Sequence, residues 1–372
     1  MYLIFIDSFL LNAHKINLGF RILAEINISL ILLRLIRTRC VMSLRIGDRI
    51  PNFQLPSKDG LKRIFYFELN GGVIILLAAR GPATAINECF TELGSCMEAI
   101  NSLGGQVFGV TDNVSKVTEN LSSSIIFEDK EGRLSDLLLS GSDAKNHNLK
   151  LLLLDPNQRV LMQFPISDPK RDIHASIKAL KGILDAPQPP ARTLQYGAPA
   201  LLMNNLIDLD LCGRLIDKWK KDHQEGQVND GTRNAPDASI KKNREHVVRD
   251  PDLFREIAST IGPRIAPELE KAFNFEQRLR FEAFTVLSYS DDREDFFAPH
   301  RDNLRQTQKR RFAMSLNLNE GYEGGELWFP EYGKHKYLPA AGAGVIFSCS
   351  LLHEALPVTK GQRWVMVTFM CD

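Results

Sequence analysis

Three prolines fall within eight residues near the middle of the chain, at 185–192. Proline fixes φ and removes a backbone donor, so this stretch suits neither a helix interior nor a central strand. We therefore expect a Pro-rich linker over 185–195 and two units, 44–184 and 196–372. The chain can supply two cores, since 44% of its 372 residues are hydrophobic.

The first 41 residues stand apart from both units. Their apolar stretches, 1–11 and 26–36, are interrupted or flanked by charged residues and are shorter than the ~20 residues that span a bilayer. Met42 opens a stretch that resembles an ordinary protein start, which favours an extension outside the fold. A peripheral amphipathic anchor is the alternative. We expect no integral membrane span.

Charge and cysteine content exclude several classes of protein. The net charge of +1 gives no electrostatic reason to expect a nucleic-acid partner. The six cysteines are scattered and form no CxxC pair, which disfavours a disulfide framework or a structural zinc site. We expect a cytoplasmic protein.

The first unit alternates short apolar runs with stretches of helical spacing. This order predicts an α/β unit in which helices cover a central sheet. The predicted strands are 73–79, 106–111, 124–127, 149–154 and 160–164, and the predicted helices are 85–103 and 172–184.

The second unit begins with helices and continues with strands. Helices are predicted over 206–220 and 250–273, and the polar stretch 224–244 between them is predicted to be a loop. This order favours an α+β unit whose sheet closes into a barrel or jelly roll. The predicted strands are 280–289, 311–318, 326–329, 344–348 and 364–370.

Two histidines and an aspartate in the strand-rich part form a candidate metal site. In an extended segment His300 and Asp302 point to the same face, and His353 follows 51 residues later. Alone, a His-x-Asp pair is more often part of a surface loop, and a lone histidine such as His353 is more often a hydrogen-bonded structural residue. Together they match the ligand set of non-haem Fe(II), which keeps positions open for a bidentate co-substrate and O2. A zinc site is four-coordinate and often has three histidines.

Arg363 extends this candidate site. It lies ten residues after His353, at the start of a predicted strand. A guanidinium can pair bidentately with the far carboxylate of a 2-oxo diacid. Judged alone, Arg363 is also compatible with a surface position on a strand.

The C-terminal motifs resemble those of prolyl 4-hydroxylase-type Fe(II)/2-oxoglutarate-dependent oxygenases, including PKHD-type hydroxylases. The similar segments are His353–Arg363 (HEALPVTKGQR), Leu316–Leu327 (LNLNEGYEGGEL) and Tyr289 with the later Phe297 and His300-Arg-Asp302. The resemblance implies a double-stranded β-helix, with Fe(II) on His300, Asp302 and His353. It also implies 2-oxoglutarate on Arg363, with Tyr289 as a second contact.

The activity that this resemblance implies is a dioxygenase that hydroxylates an unactivated C–H bond, consuming O2 and 2-oxoglutarate. Ascorbate commonly supports such enzymes. By resemblance the substrate is a prolyl residue in a protein or peptide. A small-molecule substrate stays open, because the ligand set defines only the oxidant.

The first unit resembles the peroxiredoxins, which implies a thioredoxin fold. Residues 46–56 (IGDRIPNFQLP) are similar to their opening, and Cys89, seven residues after Pro82, falls where their peroxidatic cysteine lies. Two departures count against peroxidase chemistry. Ile86 stands where the family has threonine, and the expected arginine is absent from 148–150. Cys89 is then a small buried hydrophobe.

Three functional hypotheses remain. The leading one is the oxygenase. The second is a thiol peroxidase that uses Cys89 and carries a degenerate oxygenase unit, and the third is a binding module in which both sites are inactive.

Overall fold

A computed structural model describes residues 44–118, 124–140, 148–186, 193, 195–229, 234–303 and 309–372. The extension 1–41 and most of the proline-rich stretch lie outside these residues, so the expectations for both stay predictions. Among the described residues, the helices are too short or too polar to cross a membrane.

The N-terminal unit is built on a five-stranded mixed sheet. Its strands run in the order β5-β4-β3-β6-β7, with β3, β4 and β5 parallel and the other neighbours antiparallel. The strands are β1 (Gln54–Pro56), β2 (Lys62–Ile64), β3 (Ile74–Ala79), β4 (Gln106–Thr111), β5 (Ile125–Glu128), β6 (Leu149–Leu154) and β7 (Val160–Pro165). The helices are α1 (Ala83–Ser95), α2 (Met97–Ser102), α3 (Arg133–Leu139) and α4 (Pro169–Leu184).

Both faces of this sheet are buried, which explains why β3 is apolar along its whole length. Ile75 and Leu77 pack with α1 and α4 on one face, whereas Ile74 and Leu76 pack with Phe65 and the opposite core. The prediction of one continuous helix over 85–103 is wrong, because the structure has two helices there, α1 and α2. The structure breaks it at Cys96, whose backbone N–H is shared between the carbonyls of Glu92 and Leu93. Gly94 and Ser95, both poor helix formers, precede this break.

Besides two short two-stranded sheets, the C-terminal unit contains two main antiparallel sheets. The larger one has the order β8-β21-β17-β24-β15-β13-β9, with β14 paired to β24, and the smaller one has the order β12-β16-β22-β19-β20. The helices are α5 (Leu209–Lys221) and α6 (Pro251–Phe273). The strands are β8 (Ala200–Met203), β9 (Gln224–Glu225), β10 (Val228–Asn229), β11 (Asn234–Ala235), β12 (Lys241–Lys242), β13 (Arg244–Val247), β14 (Arg280–Phe281), β15 (Thr285–Ser290), β16 (Phe296–His300), β17 (Arg310–Asn317), β18 (Glu323–Gly324), β19 (Leu327–Trp328), β20 (Lys336–Tyr337), β21 (Gly344–Ser348), β22 (His353–Ala355), β23 (Val358–Lys360) and β24 (Gln362–Cys371).

The two faces of the larger sheet have different surroundings, as its central strand β24 shows. On β24, Trp364, Met366 and Met370 pack toward α5 and α6, while Arg363 and Val365 point to a cavity between the two sheets. This is the period-two alternation expected of a strand. The sheet therefore has a structural core behind it and a cavity in front of it.

The polar stretch 224–244 is more ordered than the sequence predicts. The prediction of a loop is wrong for its described part, which contains β9, β10, β11 and β12. The strand β12 pairs with β16 and forms an edge of the smaller sheet. Strand pairing here outweighs the polar composition, because backbone hydrogen bonds do not require apolar side chains.

Candidate active site

Two strands of the smaller sheet bring the predicted metal-binding residues together. β16 ends at His300 and β22 begins at His353, and these two residues are cross-strand partners. Asp302 follows β16, where its backbone N–H donates to the carbonyl of Cys349 at 3.1 Å. The ligand atoms offered by the three side chains all lie within 4.8 Å of one another.

Backbone carbonyls determine the tautomer of both imidazoles. The Nδ1 of His300 lies 2.8 Å from the carbonyl oxygen of Ala298, and the Nδ1 of His353 lies 3.1 Å from that of Leu351. Because a carbonyl only accepts, each Nδ1 must carry the hydrogen, which leaves each Nε2 with a free lone pair. The two Nε2 atoms lie 3.6 and 3.5 Å from the carboxylate oxygens of Asp302.

Aromatic rings hold both histidines in place. The ring of Phe297 stacks on His300 with centroids 3.6 Å apart and an interplanar angle of 17°. Phe347 contacts His353 edge-on, with centroids 4.6 Å apart. The ligand geometry is therefore supported by packing as well as by hydrogen bonds.

Burial sets the protonation states of the three residues. It lowers the pKa of His300 to about 4, assisted by the neighbouring His353, and it lowers the pKa of His353 to about 4 as well. It raises the pKa of Asp302 to about 6. Both imidazoles are neutral at neutral pH, as metal ligands must be. A bound dication would favour the ionised form of Asp302.

The donor set fits a divalent iron. Two imidazole nitrogens and one carboxylate face the cavity from one side, which leaves coordination positions for other ligands. A closed structural zinc site would need a fourth protein ligand. Among the described residues, no further histidine, cysteine or acidic side chain joins this cluster.

Arg363 lies at the start of β24 with only 3% of its surface exposed. Its Nε and Nη2 both donate to Oδ1 of Asn317, at 3.1 and 2.8 Å. Asn317 in turn donates its amide hydrogens to the hydroxyl of Tyr322 at 2.9 Å and to the carbonyl of Pro339 at 2.6 Å. In the part of the chain that the structure describes, the hydrogen-bond partners of Arg363 are neutral. Its positive charge is therefore available to an incoming carboxylate.

Tyr289 is the cross-strand partner of Arg363. The guanidinium carbon lies 5.8 Å from the centre of its ring. Burial raises the pKa of Tyr289 to about 12, so its hydroxyl remains protonated and can donate a hydrogen bond. Gly325 allows the backbone to approach Arg363 closely, since a Cβ at its position would lie 3.1 Å from Cδ of Arg363 and 2.9 Å from the side chain of Val358.

The triad, Arg363 and Tyr289 all line one cavity of ≈ 1280 Å³. Lys241 and Glu245 form a buried ion pair of 2.9 Å on its wall. The ammonium of Lys241 also lies 5.3 Å from the centre of the Phe297 ring. The cavity thus combines the three clustered metal-ligating side chains, a buried arginine with neutral partners and a charged wall.

A family model and a curated relative both match the part of the chain that contains this site. Residues 284–371 match the model of the 2OG-Fe(II) oxygenase superfamily. A PKHD-type hydroxylase of Burkholderia cenocepacia (strain HI2424) is 32% identical over 163 residues, which cover 41% of this chain and 67% of that protein. The chain belongs to the 2OG-Fe(II) oxygenase superfamily. We call residues 196–372 the oxygenase unit.

Two other similarities involve the oxygenase unit. Procollagen-lysine,2-oxoglutarate 5-dioxygenase 1 of Mus musculus is 28% identical over 155 residues, which cover 40% of this chain. The match spans only 20% of that relative's length. Among solved structures, a prolyl-4-hydroxylase of Pseudomonas putida is 17% identical, with a TM-score of 0.37 and coverage of 47% of this chain and 93% of that one.

Sequence reasoning missed several residues around the oxygenase site. Ser315 and Asn317 both approach Arg363, and Phe297 stacks on His300. Their positions carry a usable signal, because residues 315 and 317 share one face of a strand that precedes the Gly-Gly pair. Lys241 gives no such signal, since it lies in the stretch predicted to be a loop.

The candidate cysteine of the N-terminal unit has a different environment. Cys89 is fully buried in the core between α1 and the sheet, and burial raises its pKa to about 12. Cys89 is the seventh residue of α1, so its thiol lies beyond the first turn and gains little from the helix N-terminus. Lys150 points to the opposite face of the sheet, where it contacts the carbonyl of Ser140. It therefore cannot replace the missing arginine beside Cys89.

Proposed function

We propose that this chain is an Fe(II)- and 2-oxoglutarate-dependent dioxygenase that hydroxylates an unactivated C–H bond. The observation that carries the proposal is the placement of His300, Asp302, His353 and Arg363 on one cavity. A metal triad alone would suit many metalloenzymes. A buried arginine with neutral partners in the same cavity favours a diacid co-substrate.

In this proposal each residue has one role. His300 and His353 bind iron through Nε2, and Asp302 binds it through its carboxylate. Arg363 pairs with the distal carboxylate of 2-oxoglutarate, and Tyr289 supplies a second hydrogen-bond donor. Iron, once bound, supplies the oxidising chemistry, while the protein orients the co-substrate and excludes water. Ascorbate would support turnover, as the family resemblance implies.

The proposed substrate is a protein or peptide segment, with a prolyl residue as the first candidate. The cavity of ≈ 1280 Å³ exceeds the roughly 300–1,000 Å³ typical of pockets for small molecules. The relatives are described as a PKHD-type hydroxylase and a procollagen-lysine,2-oxoglutarate 5-dioxygenase. We further propose a cytoplasmic location, since the five cysteines that the structure describes are all free thiols.

The test is anaerobic addition of Fe(II) and 2-oxoglutarate, followed by O2 and measurement of succinate. Replacement of a ligand, His300→Ala or Asp302→Ala, should abolish succinate production. His335→Ala is the matched control, because His335 is exposed on the same unit. Turnover that survives loss of the ligands would refute the proposal. Mass spectrometry of candidate peptides would then look for a product with one added oxygen atom.

For the N-terminal unit we propose a thioredoxin-like fold without peroxidase activity. The strand order β5-β4-β3-β6-β7 supports the fold, and the burial of Cys89 argues against the activity. Peroxide consumption that disappears in Cys89→Ser would restore the thiol peroxidase as the better hypothesis.

A further inference from the structure

The helix α6 carries two buried stripes of different chemistry. Its apolar stripe repeats every four residues and packs into the core behind the larger sheet: Leu253, Ile257, Ile261, Ile265 and Leu269. A second stripe lies beside it with the same spacing and consists of Thr260, Arg264 and Glu268. These three polar side chains are also buried, with 6–8% of their surface exposed. Buried polar groups require specific partners.

The N-terminal unit supplies partners for all three. Arg45 donates to the hydroxyl of Thr260 at 3.3 Å. Both Arg49 and Arg159 pair with Oε1 of Glu268, at 3.3 and 3.2 Å. The second stripe of α6 is therefore an interface between the two units.

Arg264 is the centre of this interface. Its Nε donates to Oδ1 of Asp48 at 2.9 Å, and its Nη2 donates to the carbonyl of Ile46 at 3.0 Å and lies 2.8 Å from the same Asp48 oxygen. Its Nη1 donates to the carbonyls of Asn205 and Leu206, at 2.7 and 3.0 Å. Arginine has five N–H donors, and four of them make hydrogen bonds here. Two of these four reach the N-terminal unit, where the guanidinium also pairs with Asp48.

Gly47 shows that the two backbones approach closely at the same point. A Cβ at this position would lie 2.7 Å from the carbonyl oxygen of Asn205 and 3.1 Å from Nη1 of Arg264. The φ of +86° is itself favourable only for glycine. Ion pairs, hydrogen bonds and close backbone packing thus all occur between the two units along this interface.

We propose that the N-terminal unit is a permanent structural partner of the oxygenase unit, docked on the polar stripe of α6. It supplies the partners of the Glu268 carboxylate and of Nε and Nη2 of Arg264, and it holds α6 against the sheet that carries Tyr289, Arg363 and Asn317. The N-terminal unit thereby has a role in this chain that requires no thiol chemistry. This inference goes beyond the proposed oxygenase activity and does not depend on it.

Hydrogen exchange of the full chain, followed by mass spectrometry, tests the proposal without iron or 2-oxoglutarate. Asp48→Ala removes the charged partner of Arg264 from the other unit. Exchange of the α6 amides, residues 251–273, should become about tenfold faster or more, because a hydrogen-bonded buried charge loses its partner. Asp59→Ala is the matched control: Asp59 also pairs with an arginine, but that arginine, Arg63, belongs to its own unit. It should leave exchange in α6 unchanged.

The reciprocal variant is Arg264→Met, which should accelerate exchange in residues 45–50 of the N-terminal unit. If Arg264→Met fails to fold, Asp48→Ala decides the question by itself. Unchanged exchange in α6 of Asp48→Ala would overturn the proposal. Equal acceleration of α6 in Asp48→Ala and Asp59→Ala would also overturn it, since the effect would then be a general loss of stability.

Discussion

Two nitrogens of Arg363 donate to a single oxygen of Asn317, and the amide of Asn317 is itself locked by the hydroxyl of Tyr322 and the carbonyl of Pro339. A neutral amide at this position orients the guanidinium without neutralising it. An aspartate would orient it equally well but would form an ion pair and compete with the co-substrate.

This relationship gives the first prediction. Asn317→Ala should raise the dissociation constant for 2-oxoglutarate about tenfold, the equivalent of one hydrogen bond to a charged group. Asn317→Asp should raise it further, because Arg363 then has an anionic partner. Anaerobic titration of each iron-loaded variant with 2-oxoglutarate measures its dissociation constant. Iron affinity should be unchanged, and an effect of Asn317→Ala on iron affinity instead of 2-oxoglutarate would contradict the assignment.

The second prediction concerns Phe297, which stacks on His300. Phe297→Ala should weaken metal binding by about 10- to 100-fold, the range typical for groups that orient a metal ligand. Titration with Fe(II) under anaerobic conditions measures the effect. Phe67→Ala is the control, because Phe67 is 81% exposed on the N-terminal unit. Equal affinities in the two variants would show that the stacking has no role in metal binding.

The third prediction is a thermal shift on metal binding. Mn(II), at roughly 100 times its dissociation constant, should raise the unfolding temperature of the oxygenase unit by about 5–10 °C, since it binds only the folded state. The shift should disappear in His353→Ala. It should also shrink as the pH falls below about 6, because burial raises the pKa of Asp302 to about 6 and its proton then competes with the metal. A shift that grows on acidification would contradict this.

The fourth prediction concerns Cys89. Its pKa is raised from the ordinary 9.0 to about 12, so the native thiol should resist alkylation at pH 8, whereas the urea-unfolded chain should react. The raised pKa of Cys89 also makes the stability of the folded state depend on pH. The neutral thiol favours the folded state below pH 9, and this contribution is lost as the pH rises from 9 toward 12. Peptide mapping after alkylation measures the reactivity, and rapid native labelling of Cys89 would contradict its burial.

Local patterns were sufficient to predict most of the regular elements. Continuous apolar runs predicted β3, β4 and β6, because these strands are buried on both faces. The helix predicted over 250–273 corresponds to α6 (Pro251–Phe273), which continues through Pro263 and Pro267. The spacing of His300 and Asp302 indicated a shared metal, since side chains two apart share a face of an extended segment.

Other features depend on tertiary contacts that have no local signature. The short edge strand β12 owes its conformation to pairing with β16, and the role of Asn317 depends on Pro339, which is 22 residues away. The polar stripe of α6 resembles an ordinary solvent-facing side of a helix. Its partners lie far away in the sequence, in the N-terminal unit: Arg45 and Asp48 are more than 200 residues earlier, and Arg159 is more than 100 residues earlier.

The alternation along β24 makes the site sensitive to strand length. Arg363 faces the cavity and Trp364 faces the opposite core, so a one-residue shift in register would exchange them. A single insertion or deletion between β23 and β24 would then point an indole at the co-substrate and bury an unpaired guanidinium among apolar side chains. Changes in the turn at Gly361 can therefore keep an anion-binding pocket only if they preserve the parity of the strand.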